Sequence, residues 1–178
     1  PTFTQKNTAQ NFHQHLGSLQ TQGATQLVLD LRDNPGGGLG ELGLVMCAFL
    51  SGPWVQATRQ NQIAWTASCE HQKQSVTNTL SNNKNEVLSQ DNLKEATFFE
   101  GPLVVLVSHN NNSAGEVAAL VLQHVLGAMI IGEKTSGNVE ALQEFTLSDQ
   151  SVILVAVANL QGVKGENFSL GITPYIES

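Results

Sequence analysis

Leu103-Val-Val-Leu-Val-Ser-His-Asn-Asn-Asn-Ser-Ala-Gly-Glu116 is the stretch that decides how this chain is read. The apolar run Leu103 to Val107 has the character of a strand covered on both faces. It breaks at Ser108-His-Asn-Asn-Asn112 and resumes at Ser113-Ala-Gly-Glu116 as an apolar helical pattern that continues to Leu126. A serine at such a junction lies where helix amides are unpaired and the helix dipole is positive. That setting can stabilise an oxyanion, so Ser113 is a candidate nucleophile. The same four residues also spell a capping box, in which Ser113 and Glu116 would only satisfy helix-end donors. On these residues alone capping is the commoner role.

Outward from this stretch, strand and helix patterns alternate. Residues 7–22 place Phe12, Leu16 and Leu19 on one helical face, ending at Gly23. Leu27–Leu31 reads as a short buried strand that leads into the glycine loop Asn34-Pro-Gly-Gly-Gly38, and residues 39–50 as an apolar helix. Trp54–Thr58 and Gln62–Ala67 read as a hairpin. Residues 70–97 are rich in Gln, Asn, Ser, Lys and Glu, which predicts a mobile surface insertion or poorly ordered loop. After the strand Ala128–Gly132 come Leu142–Leu147 and Val152–Val157, joined as a hairpin by Ser148–Ser151. The order predicts an α/β fold with an antiparallel C-terminal extension.

Composition narrows the function. With 178 residues, 40% of them hydrophobic and 13% charged, the chain suits a single domain with a real core. Its net charge of −7 and scattered Lys and Arg argue against a nucleic-acid or anionic-membrane partner. No run approaches the ~20 apolar residues of a membrane span. The first residue is Pro1 rather than Met, so the lack of a leader carries no information about export. Cys47 and Cys69 have no metal-ligand spacing. Cys47 reads as core packing, with a disulfide to Cys69 as the alternative. No metal site or cofactor is expected. The glycine loop lacks both the dinucleotide-binding pattern and the P-loop ending. It is either a tight turn or a source of N–H groups facing Ser113.

Taken together, the blocks resemble a family. Leu29-Asp-Leu-Arg-Asp-Asn-Pro-Gly-Gly37, Gly101-Pro-Leu-Val-Val-Leu-Val107, Ser113-Ala-Gly-Glu116, Gly132-Glu-Lys-Thr135 and Gly171-Ile-Thr-Pro174 are similar, in that order, to the carboxyl-terminal processing (tail-specific) serine proteases. The resemblance spans about residues 3–177. It implies a Clp-protease/crotonase-like core of β-β-α units. It also implies a nucleophile at Ser113 and oxyanion donors from the backbone of Ala114 and the Gly36-Gly37 turn. Family members commonly carry a PDZ domain. Pro1-Thr-Phe3 resembles the strand that follows it, so residues 1–178 are expected to be one protease-core domain with the PDZ domain absent.

The departures from the family pattern bear on catalysis. Asn138 stands where the family's lysine base is expected, and the usual glutamine falls on Leu142, beside Gln143. His124 replaces the aspartate at the end of the serine helix, and Tyr175 follows Pro174 in place of aspartate. An amide accepts no proton as a base. Lys134 reads as a solvated turn residue, and His124 lies about three helical turns, ~16 Å, from Ser113. His109 is nearer but belongs to the same loop, and Glu140 has no placed histidine to orient.

The leading expectation is a serine-type endopeptidase that cleaves protein substrates near their C-terminus through a Ser113 acyl-enzyme. The alternatives are an impaired, peptide-binding protease-like domain, or an acyl-CoA enzyme of the related crotonase fold, which does not account for the motif set. The resemblance implies a protein or peptide substrate and an exported, periplasmic or cell-envelope location.

Overall fold

The apolar spacing at the N-terminus folds as its period dictates. In the computed structural model, which describes residues 2–177, α1 covers Thr8–Thr21 and buries Ala9, His13 and Leu16 on one side. It is followed by β1 (Leu27–Asp30) and α2 (Leu39–Met46). The pattern over 39–50 predicts a longer helix. Beyond Met46 the chain tightens into a turn, with the Phe49 N–H on the Met46 carbonyl at 2.9 Å. Cys47 there forms a disulfide with Cys69. Then come β2 (Gly52–Arg59), β3 (Gln62–Gln72), β4 (Ser75–Asn82) and β5 (Val87–Lys94). The rest of the chain is β6 (Leu103–Val107), α3 (Ala114–Leu126), β7 (Met129–Gly132), β8 (Glu140–Thr146), β9 (Val152–Gln161) and β10 (Ile176–Glu177).

Two sheets divide these strands. The first is parallel, in the order β1-β6-β7-β10, with Leu29 beside Val105 and Leu106 beside Ile131. Leu103, Val105 and Val107 point into the core, whereas Val104 and Leu106 are only half-buried. The apolar run is therefore not covered equally on both faces. Every residue of α3 from Ala114 to Leu122 is buried, as a helix apolar all round requires. Because β1, β6 and β7 run the same way, the loops leaving their C-terminal ends gather at one edge, where open α/β sheets place their ligands.

The second sheet is antiparallel, in the order β5-β4-β3-β2-β9-β8, and it corrects the reading of residues 70–97. That segment is no mobile loop. It completes β3 and supplies β4 and β5. The polar composition hides a period of two. Val76 and Asn78 turn inward, while Thr77 and Thr79 lie on the half-buried opposite face. The Trp54 indole N–H donates to Asn78 Oδ1 at 3.1 Å deep in the core, and the disulfide ties β3 to the end of α2. The expected antiparallel C-terminal hairpin forms, and it joins this sheet. Its strand β9 pairs with β2 through Gln56–Gln161, Ala57–Leu160 and Thr58–Asn159.

Candidate active site

Three loops meet at the C-terminal edge of the parallel sheet, and asparagines join two of them. At the end of β6, buried Asn111 accepts the Ser108 N–H at 2.8 Å and donates its own amide to the Leu31 carbonyl at 2.5 Å. The Asn112 N–H reaches the Asn34 carbonyl at 3.2 Å, binding this loop to the glycine loop. The Ser108 hydroxyl donates to the Arg32 carbonyl, while Arg32 pairs with Asp30 at 2.7 Å and holds that carboxyl down at about 2. Composition marks an asparagine run as loop. What the run does here is fix two strand exits side by side.

Ser113 begins α3 with φ 50° and ψ −123°, a conformation that non-glycine residues seldom adopt. Strain of this kind costs on the order of 1–3 kcal/mol and gathers at functional turns. Its side chain makes no capping hydrogen bond. Glu116 does not close a capping box either. Its fully buried carboxylate accepts the backbone N–H groups of Gly137 at 2.7 Å and Asn138 at 3.0 Å. The capping reading of Ser113-Ala-Gly-Glu116 is thus replaced by a cross-link to the loop after β7.

The glycine turn packs directly on the serine. A Cβ on Gly36 would lie 2.8 Å from Ser113 Cβ, and one on Gly37 would lie 2.2 Å from the Phe3 carbonyl carbon. Both have positive φ, 103° and 138°, so this approach requires glycine twice over. The three expected donor amides are not equivalent. The Gly36 N–H is taken by Asn34 Oδ1 at 2.8 Å. Among the described residues, the N–H groups of Gly37 and Ala114 have no acceptor. Ser113, Ala114 and Gly37 line one cleft of about 220 Å³ with Leu39, Glu140, Ala141, Leu142 and Leu160. A larger cavity, about 590 Å³, lies at the opposite edge, where β6 and β7 begin, and holds none of the candidate residues.

The other candidates fall elsewhere. Asn138 is exposed. Its backbone is held beside the first turn of α3 through Glu116, and its side chain donates to Ser136 Oγ at 3.1 Å. His109 pairs with Glu133 on the surface, and the His109 backbone N–H and ring hold that carboxyl below its usual range. His124 stacks on Phe168 with ring centroids 6.2 Å apart. Lys134 is exposed, and Glu140 stands in the cleft wall without a histidine among its lining residues.

Sequence reading missed Asn34, Asn111, Glu116 as a cross-link, and Thr135. The Thr135 hydroxyl accepts the Ile172 N–H at 2.9 Å, and its own N–H donates to the Ile172 carbonyl at 3.2 Å. This pairing joins the blocks at 132–135 and 171–174 in the fold. Asn34 follows Arg32 and Asp33 in a polar loop, and no local pattern marks it as the buried one.

The geometry has counterparts among known proteins. The chain is 33% identical over 170 residues to the carboxyl-terminal-processing protease of Synechocystis and 32% identical over 160 residues to that of Picosynechococcus. These alignments cover 95% and 89% of the chain but only 34% and 33% of those proteins, so the chain spans about a third of the length of its relatives. A solved photosystem II D1 C-terminal processing protease superposes with a TM-score of 0.70 at 27% identity, covering 99% of this chain and 40% of that one. The fold is accordingly Clp-protease-like, mixed α/β, with a parallel sheet and a curled antiparallel one. With the model of that family matched over residues 1–178, the chain belongs to peptidase family S41.

Proposed function

We propose that this chain is the protease core of a serine endopeptidase that processes protein substrates near their C-terminus. Ser113 Oγ attacks the scissile carbonyl carbon, and its proton passes through solvent water to the amide nitrogen that will leave. The resulting oxyanion is held by the N–H groups of Gly37 and Ala114, while Gly36 shapes the turn. Collapse expels the protonated amine and leaves an ester on Ser113, which water then hydrolyses to the free carboxylate. The observation that carries this reading is the shared cleft. An uncapped, strained serine stands there beside two backbone amides that have no acceptor among the described residues.

Asn138 does not take the serine proton, and general-base assistance is typically worth about 10²–10⁴ in rate. The chain by itself should therefore react slowly with a serine-directed phosphonate. Mass spectrometry of the labelled protein tests this. Asn138→Lys should raise labelling at Ser113, provided the new amine has a pKa low enough to be neutral. Rapid labelling of the unmodified chain would show that another group activates the serine. An exported location for the whole protein fits the Cys47–Cys69 disulfide, since such bonds persist in oxidising compartments.

A further inference from the structure

The peptide between Gly36 and Gly37 is gripped from two sides. On one, the Gly36 N–H donates to Asn34 Oδ1 at 2.8 Å. On the other, the Gly36 carbonyl accepts the Phe3 N–H at 3.0 Å, and the Gly38 N–H donates to the Phe3 carbonyl at 3.0 Å. The Gly37 N–H has no acceptor among the described residues. It shares a peptide plane with the Gly36 carbonyl, and in a trans peptide these two groups point opposite ways. Binding that carbonyl to Phe3 therefore turns the Gly37 N–H away from Phe3, on a residue that lines the cleft with Ser113. A peptide flanked by glycines has little torsional preference of its own, so its orientation has to be imposed.

Both grips are buried. The Phe3 side chain sits among Phe12, Leu29, Leu31 and Val45. Asn34 is pressed against the first turn of α3, where a Cβ on Gly115 would lie 2.8 Å from its carbonyl oxygen and 2.9 Å from Oδ1. Its Nδ2 has no hydrogen-bond partner among the described residues. A buried donor left unpaired destabilises a fold, so the side chain is not accounted for by stability. Its oxygen is the part in use, and the Gly36 N–H uses it. We infer that Asn34 and Phe3 are the positioning residues of the oxyanion site: together they hold the Gly36–Gly37 peptide with its N–H toward Ser113. With either grip lost, the peptide turns over and presents the Gly36 carbonyl, which repels an oxyanion. The inference rests on the function proposed above and assigns to it two residues that act through the turn rather than on substrate.

The test reads a tetrahedral adduct at equilibrium and needs no turnover. A short alanyl peptide boronate is added to the chain: Ser113 Oγ bonds to boron, the serine proton leaves to water, and the boronate becomes an anion with one oxygen in the oxyanion position. Ser113→Ala should abolish the adduct. With isotope-labelled glycine, the Gly37 amide proton should move downfield on adduct formation and that of Gly36 should not. Asn34→Ser and Asn34→Ala remove nearly the same volume, but only serine can accept the Gly36 N–H, as in an ST-turn. Asn34→Ser should keep the Gly37 shift and most of the affinity. Asn34→Ala should lose the shift and bind the boronate about 10²-fold more weakly, the scale of one oxyanion donor. Phenyllactate in place of Phe3, which exchanges the N–H for an ester oxygen and keeps the side chain, should act like Asn34→Ala. An adduct on Ser113 that leaves the Gly37 amide unmoved would overturn the assignment and leave the serine in place. So would equal boronate affinity of the two Asn34 variants, or affinities that follow the melting temperature rather than the Gly37 shift, since both residues would then be structural alone. Absence of any adduct, in Asn138→Lys protein as well, would instead defeat the catalytic proposal beneath it.

Discussion

The two sides of Ser113 are made of different material. On the glycine side, the Gly36-Gly37 turn meets the serine through backbone, clamped by Asn34, Phe3 and the start of α2. On the other side, the backbone of the segment after β7 is held by the Glu116 carboxylate, and in the function proposed above proton transfer would depend there on a side chain, that of Asn138. A site built from main chain survives as long as the turn survives. A site built from a side chain is lost with one substitution while the fold stays intact. On the function proposed above, this is how a chain keeps the architecture of its family around a residue that cannot act as a base.

That contrast can be broken by experiment. Its largest test is Gly37→Ala, which places a methyl against Phe3 at a backbone angle unfavourable to alanine. In an Asn138→Lys background, phosphonate labelling of Ser113 should fall by about 10²–10³, the usual worth of one oxyanion donor. Undiminished labelling would remove Gly37 from the site. Next in size is the disulfide behind α2. Closing a loop with a sequence separation of 22, it should contribute about 3 kcal/mol. Its loss in a Cys47→Ser, Cys69→Ser protein should lower urea stability and speed amide exchange in α2 more than in residues 135–139. Equal loosening of both segments would show that the two sides are not supported separately.

Glu116→Gln comes third. It removes a buried carboxylate from two N–H donors, and a loss of about 2 kcal/mol is expected. Asn138→Ala, at an exposed position, should stay within about 0.5 kcal/mol. Comparable losses for the two would mean that the Asn138 side chain is structural. The smallest effect concerns His13, buried against α2. Its Nε2–H donates to the Leu44 carbonyl at 2.9 Å and its Nδ1 accepts the Thr97 N–H at 2.9 Å. Burial pushes its pKa below the ordinary 6.5. Above that pH the ring is neutral in both folded and unfolded chains, and His13 adds no pH dependence. Below it the unfolded chain takes the proton first. Stability should therefore fall as pH drops through about 6.5, by no more than about 1.4 kcal/mol per pH unit from this one group. His13→Gln should flatten that slope, and an unchanged slope would assign it to another group.

How far the sequence could be read differs from element to element. α3 and the hairpin of β2 and β3 follow from local periodicity, because a residue's burial there depends on neighbours close in sequence, whereas β1, expected as a buried strand, is a sheet edge with Val28 exposed. β4 and β5 escaped that reading. Their apolar positions are few, and one inward residue is Asn78, whose partner Trp54 lies 24 residues away. Averaged over both faces, such a strand has the composition of a loop. Glu116 escaped for a related reason: Ser-x-x-Glu satisfies a local rule, and only the approach of residues 137–138 turns the carboxylate elsewhere.

The order of blocks in the chain determined the family and the α/β architecture and picked out Ser113 and Asn138 as candidates, since each is a matter of residue identity and spacing. The tertiary structure alone decided which amides are available. Gly36 and Gly37 are the same residue type in the same turn, yet one N–H is taken by Asn34 and the other has no acceptor among the described residues. It also decided that the polar middle of the chain is sheet, and that β8 lies at an edge leading into the cleft. Hydrogen-bond partners and strand order are set by contacts between residues far apart in the chain, and no local pattern encodes them.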